Sequence, residues 1–317
     1  MPLTRRHSLL LGSLALASTP ARAQDSPARA IRVIVPYAAG GTDQYIRLLQ
    51  ASLGQALGQP VVIDSVVGGG GGIGATRVRT SAPDGYTLLF AGTAALTVVP
   101  RLQNLPYSVT DFAPICNLVA LPIIVAAKRG FRFPTLAAMV AEARAKPESI
   151  SIGTPGIGSS PHLAAEVMAR AAGMKLLHVP YPGIAPAMTA LIAGDIDLVV
   201  GAPGIVMPAV ESHGIIPLVQ TGANRVPTLP NLTTLREGGF DVDQVTRFGL
   251  FAPKETPPAI LARLERVFLD AAGAPAYVEA MRRAYNEVFL QDRVQFAAAL
   301  AAEDRATARL ITELDIK

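Results

Sequence analysis

Residues 150–183 read ISIGTPGIGSSPHLAAEVMARAAGMKLLHVPYPG. This is a short apolar strand, a turn of small polar residues, a helix, and a second strand closed by a tight turn. Gly153, Gly156 and Gly158 let the chain turn sharply and come close to a guest. Ser159 or Ser160 is placed to cap the helix, and Pro161 suits its first turn. A helix start of this kind leaves backbone N–H groups without intrahelical partners, which favours a carboxylate, phosphate or sulfate.

Residues 31–57 repeat the design. Ile31 to Val35 is a strand, Pro36 to Gly41 is a turn, and Thr42 is placed to cap a helix. That helix has an apolar face of Ile46, Leu49, Leu53 and Leu57 at helical spacing. Two such units suggest a clamp on one anionic ligand; the alternative is two ordinary strand-to-helix loops. No Lys or Arg lies in 36–43 or 153–162, and the nearest, Arg47, is one turn along its helix. An anion held there relies on amides such as that of Gly41, on hydroxyls and on helix starts.

The first 23 residues read as a secretory signal peptide: Arg5-Arg6, an apolar run from Ser8 to Ala17, and Ala21-Arg22-Ala23 as cleavage site. The arginine pair leaves both general and twin-arginine export open. This segment carries three of the 28 basic residues and none of the 24 acidic ones. The remaining chain is therefore near neutral and has no basic cluster of the kind nucleic-acid binding needs. Beyond the segment, no apolar run is long enough for a transmembrane helix. Cys116 is the only cysteine, so an intramolecular disulfide and a CxxC site are excluded; its apolar neighbours predict a buried, inert thiol.

Some 290 mature residues suggest two domains. Strands are predicted at 31–35, 61–64, 87–90, 123–127, 150–152, 176–179, 196–200, 215–219 and 248–252. Helices are predicted at 43–57, 73–80, 135–146, 161–172, 185–193, 258–272 and 291–314. The alternation gives an α/β fold with mostly parallel sheets flanked by helices.

Residues 64–74, DSVVGGGGGIG, contain no Gly-Lys-Ser/Thr, so no phosphate loop is present; the run reads as a flexible loop before a helix. Pro83-Asp84-Gly85 is a turn. Thr93, in a small-residue loop after the 87–90 strand, could offer a hydroxyl to a ligand near Gly40 and Gly41. The mature chain keeps His162, His178 and His213, with no metal spacing and no paired carboxylates, so neither a metal nor a cofactor is expected. Ser159 or Ser160 with His162 admits a secreted α/β hydrolase as the competing function. There is no GxSxG elbow to support it.

The chain resembles the Bug family, the TctC-type periplasmic solute-binding receptors of tripartite tricarboxylate transporters. The matching stretches are IVPYAAGGTD from Ile34 to Asp43 with Arg47, DGYTLL from Asp84, GIGSSPHL from Gly156, HVPYPG from His178, Leu191 to Asp197, and FAPKETP from Phe251. The resemblance implies a two-domain periplasmic binding protein, a type II-like Venus flytrap, with no enzymatic activity. Domain 1 would hold 24–128 and 248–317, and domain 2 would hold 129–247, with crossings near 127–130 and 246–249. It implies a small organic acid pinched by loops 37–43 and 156–162, then delivered to membrane permease subunits by a monomeric periplasmic protein. The site residues implied are Tyr37, Ala39, Gly40, Gly41, Thr42, Asp43, Thr93, Gly156, Gly158, Ser159, Ser160, His162, Tyr181 and Ala202. Two positions depart from the family pattern. Asp64 to Val67 replaces Glu-Asn-Arg/Lys-Pro, and Ala202 stands where an Asp is usual, which removes a partner for a ligand amino or hydroxyl group.

Overall fold

The computed structural model describes residues 29–314; the expected signal peptide lies outside them. In chain order the first elements are β1 (Ile31–Val35), α1 (Gln44–Arg47), α2 (Gln50–Leu57), β2 (Val61–Ser65), α3 (Gly72–Arg79), β3 (Thr87–Gly92), α4 (Ala94–Thr97), α5 (Val99–Leu102) and β4 (Phe112–Pro122). Next come β5 (Ile124–Ala127), α6 (Leu136–Ala145), β6 (Ser151–Thr154), α7 (Ser160–Ala171), β7 (Leu177–Pro180), α8 (Ile184–Ala193), β8 (Leu198–Gly201), α9 (Pro203–His213) and β9 (Ile216–Gln220). The chain ends with β10 (Val245–Pro253), α10 (Pro258–Gly273), α11 (Pro275–Arg283), β11 (Val288–Gln291) and α12 (Arg293–Leu314).

The strands form two sheets, in the orders β11-β4-β10-β3-β1-β2 and β7-β6-β8-β5-β9. Helices cover both faces of each, so the strands read as continuous apolar runs. In β5, Val125 and Ala127 face α6 and α7, whereas Ile124 and Ala126 face α8 and α9. The first sheet packs Leu53, Phe268 and Met281 on one face, and Val78, Phe296 and Leu300 on the other. Near its end α12 reaches the second unit, where Leu310 and Ile311 pack against Leu163 and Val167 of α7.

The two-sheet α/β architecture is the expected one, but each sheet is mixed rather than mostly parallel. β1 runs parallel to β2 and β3, and β6 parallel to β7 and β8. β4, β10 and β11, like β5 against β8 and β9, pair antiparallel. The reason is the route of the chain. β4 passes into β5 through Ile123 alone, and β9 leads back to β10, so these strands carry the chain between sheets with no helical crossover. Because β5 pairs wholly within the second sheet, the outward crossing lies at Ile123, not near 127–130. The return falls between Gln220 and Val245, ahead of the expected 246–249.

β4 was not expected, because Pro114 and Pro122 demote a strand reading. The structure places Pro114 at a register shift against β10, where a missing N–H costs no ladder bond. Cys116 within it is fully buried, and burial raises its thiol pKa, as an inert thiol requires. β11, α9 and α11 were also unforeseen, and the predicted 43–57 helix breaks into α1 and α2.

Gly249 in β10 lies under the Phe296 ring of α12; a Cβ there would sit 2.4 Å from the ring and 2.8 Å from the Cys116 carbonyl oxygen. Gly249→Ala is expected to cost about 1–3 kcal/mol through overpacking, measured by urea denaturation. Gly249→Ala with Phe296→Leu should recover part of the loss. An unaltered midpoint in the single variant would show that α12 does not pack as described.

Candidate functional site

The two sheet units meet across loops built on glycine. Gly68 to Gly71 all have positive φ, and a Cβ on Gly70 (φ +62°) would lie 2.0 Å from the Ile157 carbonyl oxygen. The glycine run is therefore a close backbone contact between units, in place of the flexible loop expected. Across the same gap the Gln103 Nε2 donates to the Ile157 oxygen (3.0 Å), and the Ala38 N–H donates to the Pro182 oxygen (3.2 Å). On α9, Gly204 fits under the 284–286 loop; its N–H donates to Asn286 Oδ1 at 3.1 Å.

Between these contacts lies a cavity. Tyr37, Thr42 and Phe248 line it from the first unit, and Ile123 from the crossing. Pro155, Ser159, Ser160, Pro161, Ile184, Gly201, Ala202 and Ile205 line it from the second. The starts of α7, α8 and α9 all reach its wall. No lining residue is charged. The space open to the centre of a water molecule is about 20 Å³.

The first loop is braced by Asp43, only 2% exposed. Its carboxylate accepts the Gly41 N–H (2.9 Å) and the Arg47 Nε–H (2.5 Å). The Gly41 amide expected to serve a ligand is thus already used by Asp43. Thr42 is not the helix cap either: α1 has no side-chain cap, and Thr42 Oγ1 is buried without a hydrogen bond.

In the second loop Ser159 is the cap, in extended conformation (φ −65°, ψ 156°). Its hydroxyl accepts from the His162 N–H (3.3 Å) and donates to the Gly156 oxygen (2.7 Å). Ser160 is 7% exposed, and its hydroxyl has no hydrogen bond among the described residues. The amides of Thr42, Ser160 and Ala202 also have no partner among the described residues.

His162 stands behind the loop, outside the cavity lining. Its Nδ1 accepts the Gly158 N–H at 3.1 Å, so Nδ1 carries no proton. Its Nε2 is 3.6 Å from Glu166 Oε1, whose carboxyl pKa is raised by burial. Its ring stacks on His178 at 4.2 Å, and His178 Nε2 shares a 2.6 Å hydrogen bond with Thr154 Oγ1. Burial first, then His178, lowers the His162 pKa from 6.5 to about 4. Neither Ser159 nor Ser160 bonds to an imidazole nitrogen, so the Ser–His pair needed by the hydrolase reading is not assembled.

Of the other expected residues, Ala39 and Gly40 are exposed on the loop and Gly156 lies against Gly70. Tyr181 borders an adjoining groove with Pro155 and Gly156. Thr93 is fully buried, but its hydroxyl donates to Glu303 of α12 and it does not line the cavity. Tyr37, Thr42, Ser159, Ser160 and Ala202 do come together there. Ile123, Ile184, Ile205 and Phe248 went unforeseen as cavity walls. Among the described residues no three His, Cys, Asp or Glu side chains cluster as a metal site, and no helix is long and apolar enough to cross a membrane.

The tripartite tricarboxylate transporter receptor family, TctC, matches residues 45–316. The chain belongs to this family. It is 33% identical over 288 residues to the UPF0065 protein in the tcbD-tcbE intergenic region of Pseudomonas sp. (strain P51), covering 88% of this chain and 85% of that one. The solved structure of the periplasmic binding protein BugD superposes with a TM-score of 0.87 at 29% identity, over 92% of this chain and 99% of that one. MatC from Rhodopseudomonas palustris, solved with bound malate, gives 0.86 at 27% identity, over 90% and 99%. The family is one of solute-binding receptors, and the chain is of that Bug/TctC type.

The neutral His162 has a pH signature. The unfolded chain takes up a proton near pH 6.5 and the folded one only near 4, so stability is full above 6.5 and falls as pH drops towards 4. The total loss is about 3 kcal/mol. His162→Asn, whose Oδ1 can replace Nδ1 as the Gly158 acceptor, should make urea midpoints at pH 7.5 and pH 5 differ less than in the parent. An undiminished difference would assign the pH dependence to other groups.

Proposed function

We propose that the protein is an extracytoplasmic receptor that captures a small organic carboxylate between its two sheet units and delivers it to the permease of a tripartite tricarboxylate-type transporter. The observation that carries this is the cavity: both units line it, Thr42 and Ser160, whose hydroxyls have no partner among the described residues, are in its wall, and three helix starts reach it. Fixed dipoles of this kind hold an anion without a cation. BugD, a periplasmic binding protein by description, and malate-bound MatC support the compartment and the ligand class. The reading takes residues 1–23 as an export signal and the mature protein as a monomer.

The mechanism is closure. The space open to the centre of a water molecule is only about 20 Å³, so an organic acid enters as the units part. We take 24–122 with 245–317 as one moving domain and 123–244 as the other, hinged at Ile123 and at the return to β10. A ligand bridging both stabilises the closed state over the open one. Asp43, Arg47 and His162 do not touch the ligand; they fix the two loops that do.

The paired serines test this division of labour. Ser160→Ala should weaken carboxylate binding by about 1–2 kcal/mol and leave the melting temperature of the free protein unchanged. Ser159→Ala should lower free-protein stability by about 1 kcal/mol, as loss of a helix cap does. Calorimetric titration and thermal melts across an organic-acid panel separate the two effects. X-ray scattering of the parent should show a smaller radius of gyration with the acid that binds. Binding untouched in the Ser160 variant, together with an unchanged scattering profile at saturation, would sink the proposal.

A further inference from the structure

We infer that Asn286 is a positioning residue for closure: the first unit uses it to cap α9 of the second, so that this helix is capped only while the units are together. The inference rests on the closure mechanism above and names a residue that sets its equilibrium.

The head of α9 cannot cap itself. Its N-cap residue is Ala202, extended as a cap should be (φ −67°, ψ 149°) but without a side-chain acceptor. Pro203 has no N–H, and the Ile205 and Val206 amides reach back to the Ala202 oxygen at 3.0 and 3.1 Å. The amide of Gly204 is left, on a buried residue, where an unpaired N–H is costly. Its acceptor comes from 82 positions away, where Asn286 Oδ1 lies at 3.1 Å.

Asn286 is held in place from its own side. It is 1% exposed, its Oδ1 also accepts the Tyr45 hydroxyl (3.4 Å), and the Tyr45 carbonyl accepts the Tyr277 hydroxyl (3.0 Å). The Tyr45 ring meets Phe248 of the cavity wall edge-on, with centroids 5.4 Å apart. The preceding residue, Tyr285, stands at φ +58°, where an aromatic residue is rarely found. Such a conformation persists only where its surroundings over-determine it. Here they belong to the second unit. Tyr285 packs against the cluster that includes Val206 and Ala209, and its hydroxyl donates to Glu211 of α9. The fit leaves no room for a side chain at Gly204: a Cβ there would lie 2.1 Å from Asn286 Nδ2 and 2.4 Å from the Ala284 oxygen. Opening breaks these contacts together and leaves α9 headed by an alanine. Ala202 and Ile205, at that head, line the cavity, so the cap and the site close as one.

The test measures closure without a ligand. Across the gap, a Cβ on Gly40 would lie 3.8 Å from that of Ala185, within disulfide range. Gly40→Cys with Ala185→Cys is made in the full mature chain, whose own Cys116 is buried. Equilibration with reduced and oxidised glutathione gives the effective concentration of the pair, which follows the closed population. All variants carry the pair, so the strain of a side chain at Gly40 (φ +85°) cancels between them. Asn286→Ala should lower the effective concentration about fivefold, the equivalent of one helix cap. Gly204→Ala, which keeps Asn286, should lower it at least as much without lowering the melting temperature of the reduced protein, because alanine suits a helix better than glycine. Amide exchange reads the cap itself: Gly204 should be protected in the oxidised parent and not in oxidised Asn286→Ala, a difference that a residue serving only its own loop would not produce. An unchanged effective concentration in folded Asn286→Ala or in Gly204→Ala would overturn the inference and leave closure standing. A pair no more concentrated in the parent than in its urea-unfolded chain would overturn both.

Discussion

The two halves of this protein meet through backbone, and the rest of the structure depends on that closeness. At Gly70 against Ile157, Gly183 against Ala38 and Gly204 against the 284–286 loop, a single methyl group would overlap its neighbour, at 2.0, 2.9 and 2.1 Å. With the loops this near, Thr42 from one unit and Ser160 from the other line the same cavity. Beside these backbone contacts, an apolar cluster of Leu310 and Ile311 against Leu163 and Val167 also joins the units.

Within the closed gap the chemistry is that of neutral groups. The chain keeps its charges one step back, as braces: Arg47 and Asp43 hold the first loop, and a histidine kept uncharged by burial holds the second. A cation in the cavity would bind an anion more strongly but would carry a large desolvation cost whenever the site closed without one. Dipoles and hydroxyls avoid that cost.

Much of the fold was legible because the strands are apolar runs punctuated by glycine, and the helices carry caps and periodic faces. The 150–183 stretch shows both, and β6, α7 and β7 follow it within a residue or two. β4 and α9 were hidden by the prolines they contain: Pro114 falls at a register shift, Pro203 at a helix start and Pro208 inside α9. At the site, the small polar residues could be read from turn chemistry. The apolar walls could not, since Ile123, Ile205 and Phe248 look like any core residue until the topology brings them together. Thr93 shows the converse: a plausible hydroxyl in a plausible loop, claimed by Glu303 from 210 positions away. The Asp43–Arg47 brace sits at helical i,i+4 spacing and could have been found from the sequence.

The central claim is that an anion is held between the two units by neutral groups. A crystal structure of the mature protein with its bound acid tests it most directly. The account predicts carboxylate oxygens within hydrogen-bond distance of Thr42 and Ser160, atoms of both units on the ligand, and no Lys or Arg in contact. A carboxylate paired with an arginine, or a ligand touching one unit alone, would contradict it.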